Sequence, residues 1–171
     1  MPSWIGQPFG STNRSFFDEY ILGDYINKGT YGNVFQARKK SLNKENQDSN
    51  IYAAKRIARP TSTSVHWIYE EEFIKKEIKF LRKLKHPHIV TFYDDFVDDD
   101  NYYIVTEYLE GGDLYDKIHR KWSKDASSYN EKYVRDVCRV LFETVAFLHE
   151  NRIAHLDLKP ENLLLEVRCF V

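Results

Sequence analysis

The segment "IAHLDLKPENLLL" brings Asp157, Lys159 and Asn162 together on one short stretch, held by Pro160 and flanked by apolar anchors. A carboxylate can take a proton from a hydroxyl nucleophile. An ammonium two residues on can neutralise a transferring phosphoryl group. An amide oxygen can ligate Mg2+, a hard ion that prefers oxygen. Two further charges stand where local rules would exclude them. In "IYAAKRI" (51–57) strand alternation puts Lys55 with Ile51, Ala53 and Ile57, read as the more apolar face. At about 100° per residue, Glu77 falls at the centre of a helical stripe of Phe73, Ile74, Phe80, Leu81 and Leu84. Lys75, Lys76, Lys79, Arg82 and Lys83 lie on the other side. A buried ammonium and a buried carboxylate each cost several kcal/mol unless compensated. The economical arrangement is that Lys55 and Glu77 pair, with either one left alone costing about 3–5 kcal/mol. The competing arrangement is a snorkelling lysine and a glutamate at a wet edge. Finally, "INKGTYGNV" (26–34) spaces Gly29-x-x-Gly32 between two strands. Glycine lets a backbone approach a phosphate and point N–H groups at it, although a plain hairpin uses the same residues. No Gly-Lys-Ser/Thr opens a helix, and a strand follows where a dinucleotide fingerprint needs a helix.

The elements that must position these groups are legible in the pattern. Residues 1–17 read as an extended lead-in rich in Gly, Pro, Ser and aromatics. Strands are expected between Tyr20 and Arg38, at 51–57, and near 88–96 and 101–109. The polar run "KKSLNKENQDSN" (39–50) reads as a mobile loop. A Thr/Ser cluster at 61–64 precedes a helix of about 18 residues that His86-Pro87 ends. The acidic "DDFVDDDN" lacks the glycine and terminal glutamate of an EF-hand loop and reads as a solvated hairpin. After "EGGDL" come a short helix and a long one. Ser128 and Glu131 form a capping box there, and Val134, Val137, Cys138, Leu141, Val145 and Leu148 share one face. Strands first and helices second make an α+β, two-lobed plan. Lys plus Arg number 25 against 26 Asp plus Glu, a net charge of −1, so no global field favours nucleic acid or an anionic membrane. Two cysteines form no disulfide framework, and no apolar run reaches membrane-spanning length. The expected setting is intracellular and cytoplasmic.

In chain order, the glycine loop, "AAK" on the third strand, a glutamate in the next helix, "HPHIV", "YIVTEYLEGGDL" and "HLDLKPEN" together resemble a eukaryotic protein kinase domain, from about Tyr20 to Leu165. "LKPEN" after Asp157 looks like the Ser/Thr branch, and "HLDLKPEN" is similar to the calcium/calmodulin-dependent group. The resemblance implies a protein-kinase-like fold with a β-rich N-lobe and the first helices and catalytic loop of a C-lobe. Residues 1–19 would be an extension, 20–109 the N-lobe and hinge, 110–166 a partial C-lobe, and 167–171 a tail outside the family. It implies phosphoryl transfer from ATP and Mg2+ to protein Ser/Thr hydroxyls. Ile26, Gly29, Gly32, Val34 and Ala53 would bind the nucleotide, and Lys55, partnered by Glu77, would hold its α/β-phosphates. Thr106 would be the gatekeeper, Glu107 and Leu109 the hinge, and Asp113 the ribose contact. Asp157 would be the base, Lys159 would sit at the γ-phosphate, and Asn162 would hold Mg2+. Asp113 and Glu161 would favour protein substrates with basic residues near the target hydroxyl.

Three departures from the family pattern qualify this. Asn27 replaces the first loop glycine, a position where Asn tolerates left-handed φ. Leu156 replaces the Arg that gathers an activation-loop phosphate, so no control by that route is expected. The Asp-Phe-Gly expected a dozen or so residues after Asn162 is not reached, and the sequence diverges at "VRCFV". Val-Arg can be encoded by GTACGT, which resembles a splice donor. The expectation is therefore a kinase domain truncated after its catalytic loop, poorly active or inactive by itself. The alternatives are a regulatory fragment that binds nucleotide or a partner without catalysis and, disfavoured by "DLKPEN" with "EGGDL", a small-molecule kinase of related fold.

Overall fold

The computed structural model describes residues 14–29, 32–41, 50–59, 65–122 and 131–166, with the side chains of 65–70 and 121–122 left aside. The loop at 42–49, the Thr/Ser cluster, Ser128, Cys169 and the tail lie outside the described residues. The chain divides into two compact units, Met1–Lys85 with Val90–Tyr108, and His86–Ile89 with Leu109–Val171.

The first unit is built on a five-stranded antiparallel sheet in the order β1-β2-β3-β5-β4. Its strands are β1 (Tyr20–Lys28), β2 (Asn33–Lys39), β3 (Ile51–Ala58), β4 (Phe92–Val97) and β5 (Asn101–Glu107). The β4–β5 connection is the expected solvated hairpin: Asp98 Oδ1 accepts from the Asp100 and Asn101 amides at 2.9 and 2.7 Å. Among the described residues no group of three metal-ligating side chains forms there or elsewhere.

Both faces of the sheet are covered, which corrects the sequence reading of β3. Tyr52 and Ala54 are the buried residues of one face, packed with Tyr20, Ala37, Phe96, Tyr103 and Val105. The face of Lys55 buries Ile57, which packs with Tyr102 and Ile104 under helix α2 (Val65–Leu81). The extra cover comes from the lead-in. Its last residues are not extended: Phe16–Glu19 form a one-turn helix, α1. Ser15 caps it by accepting from the Phe17 amide, and Asp18 accepts from the Ser15 amide, a capping box in "SFFD". Phe16 then stacks on Tyr103 at 4.5 Å and on Tyr20 at 5.5 Å. The periodicity of β3 could not show this, because a sheet face is apolar only in proportion to what packs on it.

Helix α2 also departs in detail. Its buried residues are Ile74 and Ile78, with Leu81 half-buried, whereas Phe73 and Phe80 are exposed. The stripe is rotated by one position from the expected one, because i, i+4 and i+7 from Ile74 meet the sheet. The helix ends at Leu81, and the Arg82 and Leu84 amides still bond to Ile78 and Phe80 carbonyls before His86-Pro87.

The second unit holds α3 (Leu114–Trp122) and α4 (Glu131–Glu150). Asp113 caps α3, its Oδ1 accepting from the Asp116 amide at 2.7 Å. On the expected face of α4, Leu148 is buried while Val134 is exposed. The helix closes in a Schellman arrangement: Ile153 N–H bonds to Leu148 C=O and Arg152 N–H to His149 C=O, with Arg152 at φ 59°. No described helix is long and apolar enough to cross a membrane.

Candidate active site

The residues singled out in the sequence fall in both units, and each group is built from its own strands and loops. In the first unit, β-sheet register brings five of them to one face. Val34 and Ile104 lie opposite Lys55, and Gln36 and Thr106 lie opposite Ala53. Directly opposed residues share a face, so Val34, Ala53, Lys55 and Thr106 form a patch on the side that α2 covers farther along. Glu77 joins them from α2: Lys55 Nζ stands 2.8 Å from Glu77 Oε1. The two side chains retain 23% and 37% of their exposure. The pair therefore exists, but it is not buried as expected, and the 3–5 kcal/mol figure does not apply. A part-exposed pair of this kind contributes about 1 kcal/mol at most.

The β1–β2 turn is tight for a reason other than the one expected. Gly29 N–H bonds to Gly32 C=O at 2.7 Å. A Cβ on Gly32 would overlap the Arg56 carbonyl of β3, so glycine is required there by close backbone approach. Asn27 is not left-handed: it lies in β1 opposite Val34, and its side-chain oxygen accepts from the Lys28 amide. Ile26 lies beside a register shift in β1 and is part exposed. Glu107 turns to the opposite face, paired with Tyr52; its amide donates to Thr91 C=O at 2.9 Å, and its carbonyl receives only a 3.4 Å contact from Thr106 Oγ1.

In the second unit, the loop after α4 is fastened at its far end. Leu114 N–H bonds to Leu163 C=O and Leu165 N–H to Gly112 C=O, flanking a bridge between Asp113 and Leu164. Gly111 admits this pairing, since a Cβ there would overlap Leu165. Asp113 is thus 9% exposed and engaged as a helix cap, and Leu109 beside it is half-buried. Between Leu156 and the single 3-10 turn Pro160–Asn162, the three polar groups meet. Lys159 Nζ is 3.0 Å from Asp157 Oδ2. Asn162 Nδ2 donates to Asp157 Oδ2 at 2.9 Å and to its carbonyl at 2.7 Å. These partners, Lys159 first and then Asn162, hold the exposed Asp157 carboxyl below the usual carboxylate range. Because the amide nitrogen of Asn162 is used twice by Asp157, its oxygen is the group left for a hard cation. A single such oxygen fits Mg2+ that arrives with phosphate and water ligands, not one held in a protein cage.

Some of this was not visible in the sequence. Asp157 N–H bonds to His155 Nδ1 at 3.3 Å. Leu156, between them, is held at φ 62° and is 91% exposed. No sequence signal announces that conformation for a leucine. The Ser-x-x-Asp of "SFFD" did announce α1.

A family model described as "Protein kinase domain" matches residues 20–169. The calcium/calmodulin-dependent protein kinase type 1 of Caenorhabditis elegans is 35% identical over 89% of this chain and 39% of its own length. CDPK-related kinase 5 of Arabidopsis thaliana is 38% identical over 94% of the chain and 25% of its own length. Human serine/threonine-protein kinase ULK3 is 35% identical over 86% of the chain and 28% of its own length. The chain thus spans about two fifths or less of the length of these curated relatives. With the matched region running from β1 past the Asp157–Asn162 loop, and with serine/threonine kinases as its relatives, the chain belongs to the protein kinase domain family.

Proposed function

We propose that this chain binds MgATP and serves phosphoryl transfer to serine and threonine hydroxyls of proteins. The observation that carries the reading is the 2.8 Å contact between Lys55 and Glu77 on a sheet face shared with Val34, Ala53 and Thr106. Glu77 orients the lysine ammonium, and Lys55 grips the α/β-phosphates. Ile26, Gly29, Gly32 and Val34 cover the nucleotide, and the Glu107 carbonyl and Leu109 backbone receive the base. Asp157 orients the substrate hydroxyl and takes its proton as the oxygen bonds to the γ-phosphorus and the bond to the β-phosphate oxygen breaks. A carboxylate held below its usual range is a weak base, so orientation is its larger contribution. Lys159 neutralises charge on the transferring group. Asn162 would hold Mg2+ through its amide oxygen, and the ion, when bound, shields phosphate charge.

Glu161, exposed on the 3-10 turn, offers its carboxylate to a basic residue of the protein substrate, and the capped Asp113 adds field more than contact. A reduced thiol at Cys138 and a need for ATP suit the cytoplasm. Residues 1–171 contain no Asp-Phe-Gly, the motif that supplies a further metal ligand in kinases. Tested as these residues alone, the chain is expected to bind nucleotide and to transfer phosphate slowly. The test is MgATP affinity by fluorescent-nucleotide displacement, with transfer to a basic peptide and to a small metabolite measured beside it. Lys55→Met is expected to weaken nucleotide binding at least tenfold. Equal affinity of Lys55→Met and the unaltered chain, or transfer to the metabolite alone, refutes the reading.

A further inference from the structure

Where α2 sits on the sheet decides whether Glu77 reaches Lys55. The contacts beneath the helix, Ile74 and Ile78 on Ile57, Tyr102 and Ile104, are apolar and non-directional, and they tolerate sliding. The Lys55–Glu77 pair, part exposed, is too weak to hold a helix by itself. A directional contact does exist: the hydroxyl of the buried Tyr102 donates to Glu71 Oε1 at 2.7 Å, and Lys75 braces Glu71 at 3.1 Å. Tyr102 lies opposite Ile57, and Ile104 lies opposite Lys55. Tyr102 and Lys55 therefore stand two rungs apart on one sheet face. Their partners Glu71 and Glu77 stand on one helix, about 9 Å apart along its axis. At the helix's other end Arg82 Nε donates to the buried Asp95 at 3.0 Å. The sheet grips α2 by polar contacts on both sides of Glu77.

We propose that Tyr102 is a positioning residue: through Glu71 its hydroxyl sets the register of α2 on the sheet so that Glu77 meets Lys55. The functional weight of this rests on the reading of Lys55 as the phosphate-binding group. A hydroxyl bound to a carboxylate is a charge-assisted bond, and its loss changes the balance between helix placements about tenfold. Ile74, Ile78 and the Arg82–Asp95 contact keep the helix docked in either placement.

The test is zero-length carbodiimide cross-linking of the whole chain, with the Lys55–Glu77 linked peptide quantified by mass spectrometry. Tyr102→Phe and Glu71→Gln are each expected to lower its yield about tenfold, and the double variant is expected to go no lower than either. Tyr20→Phe is the comparison, because it removes a similar hydroxyl–carboxylate bond, 2.6 Å to Asp94, from the opposite face of the sheet. Its yield is expected to match that of the unaltered chain at equal loss of melting temperature. An unchanged yield in Tyr102→Phe, an equal fall in Tyr20→Phe, or no linked peptide in the unaltered chain overturns the proposal. The cross-link needs no nucleotide. A kinase reading that fails leaves MgATP affinity indifferent to Lys55→Met while the cross-link still responds to Tyr102→Phe, so the two failures are separable.

Discussion

Two adjacent phenylalanines should differ sharply in what their removal costs. Phe16 is 1% exposed and Phe17 is 48% exposed, although both belong to the single turn of α1. The Phe16 ring stacks on Tyr103 and Tyr20 and meets Phe96 edge-on at 5.7 Å. Full burial of a Phe side chain contributes about 1.5–3 kcal/mol, and aromatic pairs add about 0.5–1.5 kcal/mol each beyond area. Truncation in a core that cannot collapse then costs about 3–5 kcal/mol. Phe17 also meets Phe16 edge-on, at 5.3 Å, and that contact is lost in both variants and cancels from the comparison. Phe17→Ala is expected to cost below about 1 kcal/mol. For a unit of this size, each kcal/mol moves the melting temperature by roughly 4–8 °C, so Phe16→Ala should lower it by more than about 10 °C. Near-UV circular dichroism, which reports the tyrosines of this cluster, follows the melt of the first unit. Equal losses in the two variants would refute the claim that α1 closes this face of the sheet.

The same unit should weaken in alkali. Burial and then the bond to Glu71 push Tyr102 up from 10.0 to about 12, and burial raises Tyr20 and Tyr103 as well. The unfolded chain ionises first, so stability is full below pH 10 and is lost as pH rises from 10 towards 12; Tyr102 accounts for at most about 2.7 kcal/mol of it. Urea midpoints at pH 9, 10 and 11 check this, and a midpoint that does not move contradicts it. In the second unit, Lys159→Met should raise the Asp157 pKa towards the usual aspartate value, because it removes the largest cause of the depression. Carboxyl NMR titration reads that shift, and no upward movement would mean Lys159 is not the cause. Leu156→Asn should stabilise that unit by about 1 kcal/mol, since a left-handed φ of 62° strains leucine more than asparagine and a side chain 91% exposed forfeits little burial. A loss of stability by thermal melt would count against the strain.

Much of the fold could be read from local chemistry. The strands announced themselves by β-branched and aromatic runs between turn residues, and α2 and α4 by their period, because these signals depend on neighbours a few residues away. The Lys55–Glu77 pair was legible for a different reason: two charges sat in patterns that would otherwise strand them. "HLDLKPEN" was legible because its three polar groups are close in the chain, so their meeting needs only one turn.

Tertiary structure decided what neighbours in sequence cannot. It chose which face of β3 is deepest, since Tyr52 and Ala54 are buried only because Phe16 and Tyr20 come to cover them. It rotated the buried stripe of α2 to Ile74 and Ile78, and it left Glu77 and Lys55 part exposed, which lowers the pair's contribution to stability. It gave Asp113 to the cap of α3 and placed Tyr102 under Glu71, a contact across 31 residues. Local propensity states what a residue can do. Burial and partnership depend on which surfaces the folded chain brings opposite one another, and that is a property of the whole packing.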